Sequence, residues 1–217
     1  MVCARWLEVH SDAAFRKEEK EGVDQGRAMR GATYLRIGGE TPKAATGTRP
    51  CHLVDWQCGS LKTVTRSTFT SELMSSIAAT DHGLSLKLTL HEIASGPLGP
   101  DAAMKLRDGA LECAFQMHLG VDSMGLLTAV TAPRPKAPAE KSLLPHLLWM
   151  RDLLKVSVMK TLSWYDTRDM SSDGLTKGCI DRAALLELAG GTVTRTHHPQ
   201  TMAVSGTDVP FTIHNRE

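Results

Sequence analysis

Aromatic residues are scarce in this 217-residue chain, at 5% against a hydrophobic share of 41%. Its core must therefore rest on Leu, Met, Ala and Val. Charge of one sign is also lacking: Lys plus Arg number 25, Asp plus Glu 24, and the net charge is +1. Bulk electrostatics thus give no nucleic-acid signal, although a local basic patch is compatible with neutrality. Cys3, Cys51, Cys58, Cys113 and Cys179 contain no CxxC pair, which leaves neither a zinc knuckle nor a disulfide scaffold supported. Reduced thiols are the better expectation, and with them an intracellular setting, cytoplasm or nucleus. No apolar run approaches the ~18 residues of a membrane span. The first residues lack the apolar core of a signal peptide, so none is expected.

What is there reads as an α/β chain. The stretch 3–15, "CARWLEVHSDAAF", alternates loosely and predicts a strand. The charged 16–27 predicts a turn, 29–39 a second strand closed by Gly38–Gly39, and 51–59 a third strand after a polar turn region with Pro42, Gly47 and Pro50. Three strands with no crossover helix between them predict an antiparallel meander. The period then changes. Phe69, Leu73, Ile77, Leu84 and Leu88 predict a helix over 67–93, with Ser67 as its cap and Gly83 as a bend or a break into two helices.

Residues 94–101 end that helix, and a polar stretch leads to "FQMHLGVDSMGLL" (115–127). Here Met117, Leu119 and Val121 predict a core-facing strand, and Gly120 and Asp122 share the other face. A short helix over 124–130, a proline-rich loop over 131–140 and a helix over 140–156 follow, with Pro145 in that helix's first turns. A strand over 156–167 and a helix from about Asp181, stopped by Gly190–Gly191, close the series. The expected architecture is a mixed five-stranded sheet, meander first and parallel strands after, with helices packed on it. Residues 1–191 form the expected domain and 192–217, which lack a strong period, a loosely structured tail.

Four acids stand at element ends in this plan: Asp12, Glu72, Asp122 and Asp173. Each alone reads equally well as an ordinary turn or helix-start acid. If the sheet sets the first and fourth strands side by side, their carboxylates converge. Like charges so packed would have raised pKa values unless divalent cations neutralise them. Magnesium suits oxygen ligands, and two such ions can activate a water and stabilise the leaving oxygen of a phosphodiester.

Four blocks in order carry a family likeness: "HSDAAF" (10–15), "GRAMRGATYLRIGG" (26–39), "LVDWQCGSLKTVTRSTFTSELMSSIAA" (53–79) and "DMSSDGLTKG" (169–178). Together they resemble the ribonuclease H domain at the C-terminal end of the Ty1/copia-type retrotransposon Pol polyprotein. The resemblance implies an RNase H-like fold and cleavage of the RNA strand of RNA–DNA hybrids with two Mg²⁺ ions, which Mn²⁺ can replace. It implies Asp12, Glu72, Asp122 and Asp173 as catalytic metal ligands, with Asp169 the rival for the last place. It also implies the hybrid as substrate and the reverse transcriptase part of a parent polyprotein as partner. Arg30, Lys62 and Arg66 then fall at the site's edge, with Ser67 or Thr68 against a phosphate; as plain surface residues they would need no such role.

Two other readings stay open. One is a catalytically inactive remnant that binds nucleic acid or protein; the other is integrase-like chemistry, which needs only three acids. The pair His10 and Asp12 suggests a hydrolase triad, but no G-x-S-x-G elbow accompanies it. His82, His91, His118 and His146 form no metal-ligand spacing, and His197–His198 read as exposed.

Overall fold

The structure, a computed structural model, describes residues 5–14, 28–38, 46–133, 138–177 and 182–202. The expected turn at 16–27 lies outside these residues. Strands β1 (Arg5–Ala14), β2 (Met29–Gly38) and β3 (Gly47–Ser60) form the expected antiparallel meander. Strand β4 (Phe115–Val121) joins β1 in parallel, and β5 (Thr161–Trp164) joins β4 in parallel. A parallel neighbour requires a crossover. Helices α1 (Thr68–Ser95) and α2 (Pro100–Arg107) supply the first; α3 (Met124–Thr131) and α4 (Leu144–Lys155) supply the second.

Two short strands extend the sheet at its edges. Strand β6 (Thr192–Arg195) pairs with the start of β3, and β7 (Gln200–Met202) pairs with β5. The full order is β6-β3-β2-β1-β4-β5-β7. Residues 192–202, expected to be loose, are thus tied to the sheet by backbone ladders; 203–217 lie outside the described residues. Pro50, expected in a turn, sits within β3 opposite Thr192. It is past the stretch that β2 pairs with, where a missing N–H costs least.

Strand β1 is central and buried from Trp6 to Ala14, because both faces of the sheet are covered. On the first face Leu7, Val9, Tyr34, Met117, Leu119, Val121 and Leu162 meet Leu73 and Ala79 of α1, Leu126 and Leu127 of α3, and Met150 and Leu154 of α4. The helical spacing read at Phe69, Ile77 and Leu84 only half describes α1, since those residues are partly buried at its flank. Its innermost line is small and polar: Ser71, Ser75, Ser76, Ala79, Thr80 and Gly83. Gly83 does not break α1, which runs unbroken for 28 residues. A Cβ there would stand 3.0 Å from Val9 Cγ2, so the glycine lets helix and sheet approach closely.

On the second face Trp6, Leu35 and Ile37 pack against Leu188 of α6 (Ala183–Ala189) and Val193 of β6. Gly190 ends α6 as the sequence predicts. Two expectations fail locally. Helix α2 was not foreseen, although Pro100 at its first turn, Asp101 beside it and Lys105 and Arg107 in its last turn are favourable signals. The expected strand over 156–167 shrinks to Thr161–Trp164. Val156 and Ser157 instead terminate α4, with Ser157 at φ 57°. Among the described residues no helix is long and apolar enough to cross a membrane.

Candidate metal centre

Register brings the first two acids together. Strands β1 and β4 run parallel with Ser11 opposite Val121, so Asp12 and Asp122 are the next residues on adjacent strands. The Asp122 backbone is held by Trp164, whose indole N–H donates to its carbonyl at 2.7 Å. Ser123 then turns the chain, its side chain capping α3 by accepting from the Leu126 N–H at 3.3 Å. Ser75 of α1 donates to the Asp12 carbonyl at 2.8 Å. The small, hydroxyl-rich face of α1 therefore anchors the end of β1.

The third acid arrives on α5 (Asp173–Thr176), a single turn lying on β1 and β2. Gly31, opposite Asp12 in the ladder, makes this approach possible. A Cβ on it would lie 2.8 Å from Thr176 Cγ2 and 3.0 Å from the Ser172 carbonyl. Ligand oxygens of Asp12, Asp122 and Asp173 all fall within 4.8 Å of one another. Asp12 and Asp173 are buried and Asp122 is half-buried.

Glu72 lies outside that compact trio but against it. It is buried in the second turn of α1, it takes the Ala13 N–H, and its charge couples to Asp122 and Asp12. Its Oε2 is sealed from solvent and has no hydrogen-bond partner among the described residues.

The electrostatics follow from this crowding. Burial, then the charges of Asp122 and Asp12, push the Glu72 carboxyl up to about 9. Burial lifts Asp12 to about 6; the Thr176 hydroxyl, which donates to its Oδ2, and Lys177 pull the other way. Asp122 is raised, chiefly by burial, with Lys177 opposing and Asp173 adding to the rise. Thr167 donates to Asp122 Oδ2 at 3.4 Å. Lys177 forms an ion pair with Asp173 across one helical turn. Thr167, Thr176 and Lys177 were not singled out from the sequence. The i, i+3 and i, i+4 spacing of Thr176 and Lys177 from Asp173 was the signal available.

Asp169, the rival for the last place, is engaged elsewhere. Its carboxylate accepts the Thr196 N–H at 3.1 Å, the Thr196 hydroxyl at 2.7 Å and the His197 N–H at 2.7 Å. Burial raises its pKa, but these bonds outweigh that and hold it below the usual carboxylate range. It clasps the chain between β6 and β7. His197, expected to be exposed, is part of this clasp.

Gly120 also differs from expectation. It leaves room for Tyr165, whose ring would lie 2.5 Å from a Cβ there, and does not open space at the carboxylates. His10 does not pair with Asp12. Its ring bonds Glu8 Oε1 at 2.6 Å and Ser171 Oγ at 2.7 Å, and all three side chains are buried. This Ser-His-Glu chain belongs to a sealed polar layer beneath the sheet. There Arg195 pairs with Glu8 and lies 4.7 Å over the Tyr165 ring, and the Tyr165 hydroxyl donates to Glu8 at 3.1 Å. Burial lowers His10 to about 4 and His118 to about 3, so both are neutral at pH 7. The layer ties β1 to β6 and to the segment after β5.

At the other edge Ser67 is occupied as the α1 cap, accepting the Thr70 N–H at 3.1 Å. Lys62, Arg66 and Thr68 are exposed, and Arg30 is half-buried on β2.

The donor set fits a hard divalent cation. Among the described residues it consists of carboxylate oxygens, three of them close enough to share an ion, beside a buried carboxyl oxygen with no hydrogen-bond partner there. The central five strands, ordered β3-β2-β1-β4-β5, make the expected mixed α/β sheet with helices packed on it, and they carry a carboxylate cluster suited to metal binding.

No protein-family model matches the chain, and no curated protein matches it in sequence. Among solved structures, an RNase H1 from the halophilic archaeon Halobacterium salinarum is similar at a TM-score of 0.45 and 11% identity, covering 85% of this chain and 97% of that one. LC9-RNase H1, a type 1 RNase H with the type 2 active-site motif, is similar at a TM-score of 0.36 and 13% identity, covering 94% and 79%. Likenesses this distant say nothing of activity.

Proposed function

We propose that this protein is a divalent-metal-dependent endonuclease that cleaves the RNA strand of RNA–DNA hybrids. One observation carries the reading: Asp12, Asp122 and Asp173, up to 161 residues apart in the chain, place ligand oxygens within 4.8 Å of one another. Ordered motif blocks of the copia type support the hybrid as substrate and a retrotransposon polyprotein as origin, with a reverse transcriptase part as former neighbour. Two Mg²⁺ ions, or Mn²⁺ in their place, would be held by these three acids with Glu72 beside them. Such ions supply charge neutralisation for the phosphodiester and a more acidic attacking water.

The chain's own residues contribute position and proton control. Thr176 and Ser75 fix the Asp12 side chain and backbone, and the β4 exit fixes Asp122. Glu72, with its carboxyl at about 9 in the metal-free protein, holds a proton at neutral pH that a cation must displace. Duplex contact is with backbone and 2′-hydroxyls, for which Arg30, Lys62 and Arg66 are the cations at hand. Near-zero net charge predicts weak, salt-sensitive hybrid binding.

A labelled hybrid tests this directly. RNA-strand products are expected with Mg²⁺ or Mn²⁺, none with chelator, and none from Asp122→Asn. Hybrid binding without cleavage in either metal would overturn the catalytic reading and leave a binding module.

A further inference from the structure

One cation of the chain itself already stands at the carboxylates. Lys177 follows α5 with extended backbone, at φ −109° and ψ 111°. Its ammonium pairs with Asp173, and its charge also acts on Asp12 and Asp122. The side chain is about one-third exposed (35%), so it has water on one side into which it can swing. A divalent ion held by the same three carboxylates needs the same negative potential, and its charge would repel an ammonium this near.

We propose that Lys177 is a built-in counter-cation: it neutralises the carboxylate cluster when metal is absent and is displaced when a divalent ion binds. It thereby sets how much metal the site requires. In the metal-free protein it suppresses mutual repulsion of Asp12, Asp122 and Asp173 and keeps them converged. The cost is a raised metal threshold, since each ion must first drive the ammonium out. This inference rests on the metal-site reading but not on nuclease activity, so its tests read metal binding and stability.

The first test titrates full-length wild type, Lys177→Met and Lys177→Arg with Mn²⁺, following free Mn²⁺ by electron paramagnetic resonance. Lys177→Met keeps the unbranched stem and removes the charge. It should bind Mn²⁺ about tenfold tighter, the factor that corresponds to ~1.4 kcal/mol of lost competition, while melting lower than wild type in chelator. Lys177→Arg should stay near wild type in both respects. Equal or weaker Mn²⁺ binding by Lys177→Met overturns the proposal. Absence of Mn²⁺ binding by wild type itself overturns the metal-site reading beneath it, a distinct outcome.

A second measurement needs no variant. The side-chain ¹⁵N resonance of Lys177 should be visible and slow to exchange in chelator, then shift or vanish on adding Mg²⁺. A Lys177 resonance unmoved by saturating Mg²⁺ overturns the proposal whatever the variants do.

Discussion

Replacing Asp122 with Asn should make the metal-free protein more stable and the metal-loaded protein less so. Oxygens of Asp12, Asp122 and Asp173 lie within 4.8 Å of one another. Two unit charges at 4.8 Å repel by about 3.5 kcal/mol at an effective dielectric of 20 and about 0.9 kcal/mol in water. Asp122 is half-buried, so the true value falls between these limits. Lys177 offsets part of it by attraction, and the amide of Asn keeps nearly the same shape. The 3.4 Å bond from Thr167 is long and little is lost with it. A net gain on the order of 1 kcal/mol in chelator follows, or about 2–4 °C in Tm for a domain of this size.

With metal the order should invert. Wild type gains about 2.7 kcal/mol at a hundredfold excess of metal over Kd, and Asp122→Asn should gain little. Urea unfolding of both proteins, in chelator and in Mg²⁺ or Mn²⁺, reads all four values. Destabilisation of Asp122→Asn in chelator, or stabilisation of it by metal equal to that of wild type, would refute this.

Glu72 governs the alkaline limb of metal-free stability. Its folded pKa, about 9, lies above the ordinary 4.5, so its contribution is full below 4.5 and fades as pH rises towards 9. Chelated wild type should lose on the order of 2 kcal/mol between pH 7 and 9, at about 1.4 kcal/mol per pKa unit; a Glu72→Gln variant with an equal slope would count against this. Arg195→Met should cost about 3–5 kcal/mol, because it removes the ion-pair partner of the buried Glu8; a urea-derived stability within about 1 kcal/mol of wild type, on the scale of an exposed pair, would contradict this. Gly120→Ala drives a methyl into the Tyr165 ring, 2.5 Å away, and should cost about 1–3 kcal/mol; an unfolding curve superimposable on wild type would show that the ring moves freely.

Much of the fold was legible because its signals are local. Residue patterns marked β1, β2 and β4 to within two residues, the paired glycines at 190–191 bounded a helix, and Ser67 was readable as a cap; the helix expected from 140 begins only at Leu144. The edge strands were not legible. A strand of three or four residues, such as β6 or β7, carries too few alternations to show a period, and only its partner strand gives it a reason to be extended. Helix α1 was legible as a helix but its buried face was not, because most of that face is serine, threonine, alanine and glycine, which apolar spacing does not mark.

The same division runs through the site. By itself the sequence determined that acids end β1 and β4, that another rides the second turn of a long helix, and that two, Asp169 and Asp173, compete for the last place. Chemistry of that kind is written in residue type and order. Which acids meet was decided only by tertiary structure: parallel pairing of β1 with β4 set Asp12 beside Asp122, and the bare backbone at Gly31 let α5 deliver Asp173. Asp169 was spent on the Thr196–His197 clasp, and Lys177 was turned onto the carboxylates. Convergence of like charges is a long-range property, opposed by Coulomb repulsion and imposed by packing elsewhere in the molecule, so no local stretch of chain could announce it.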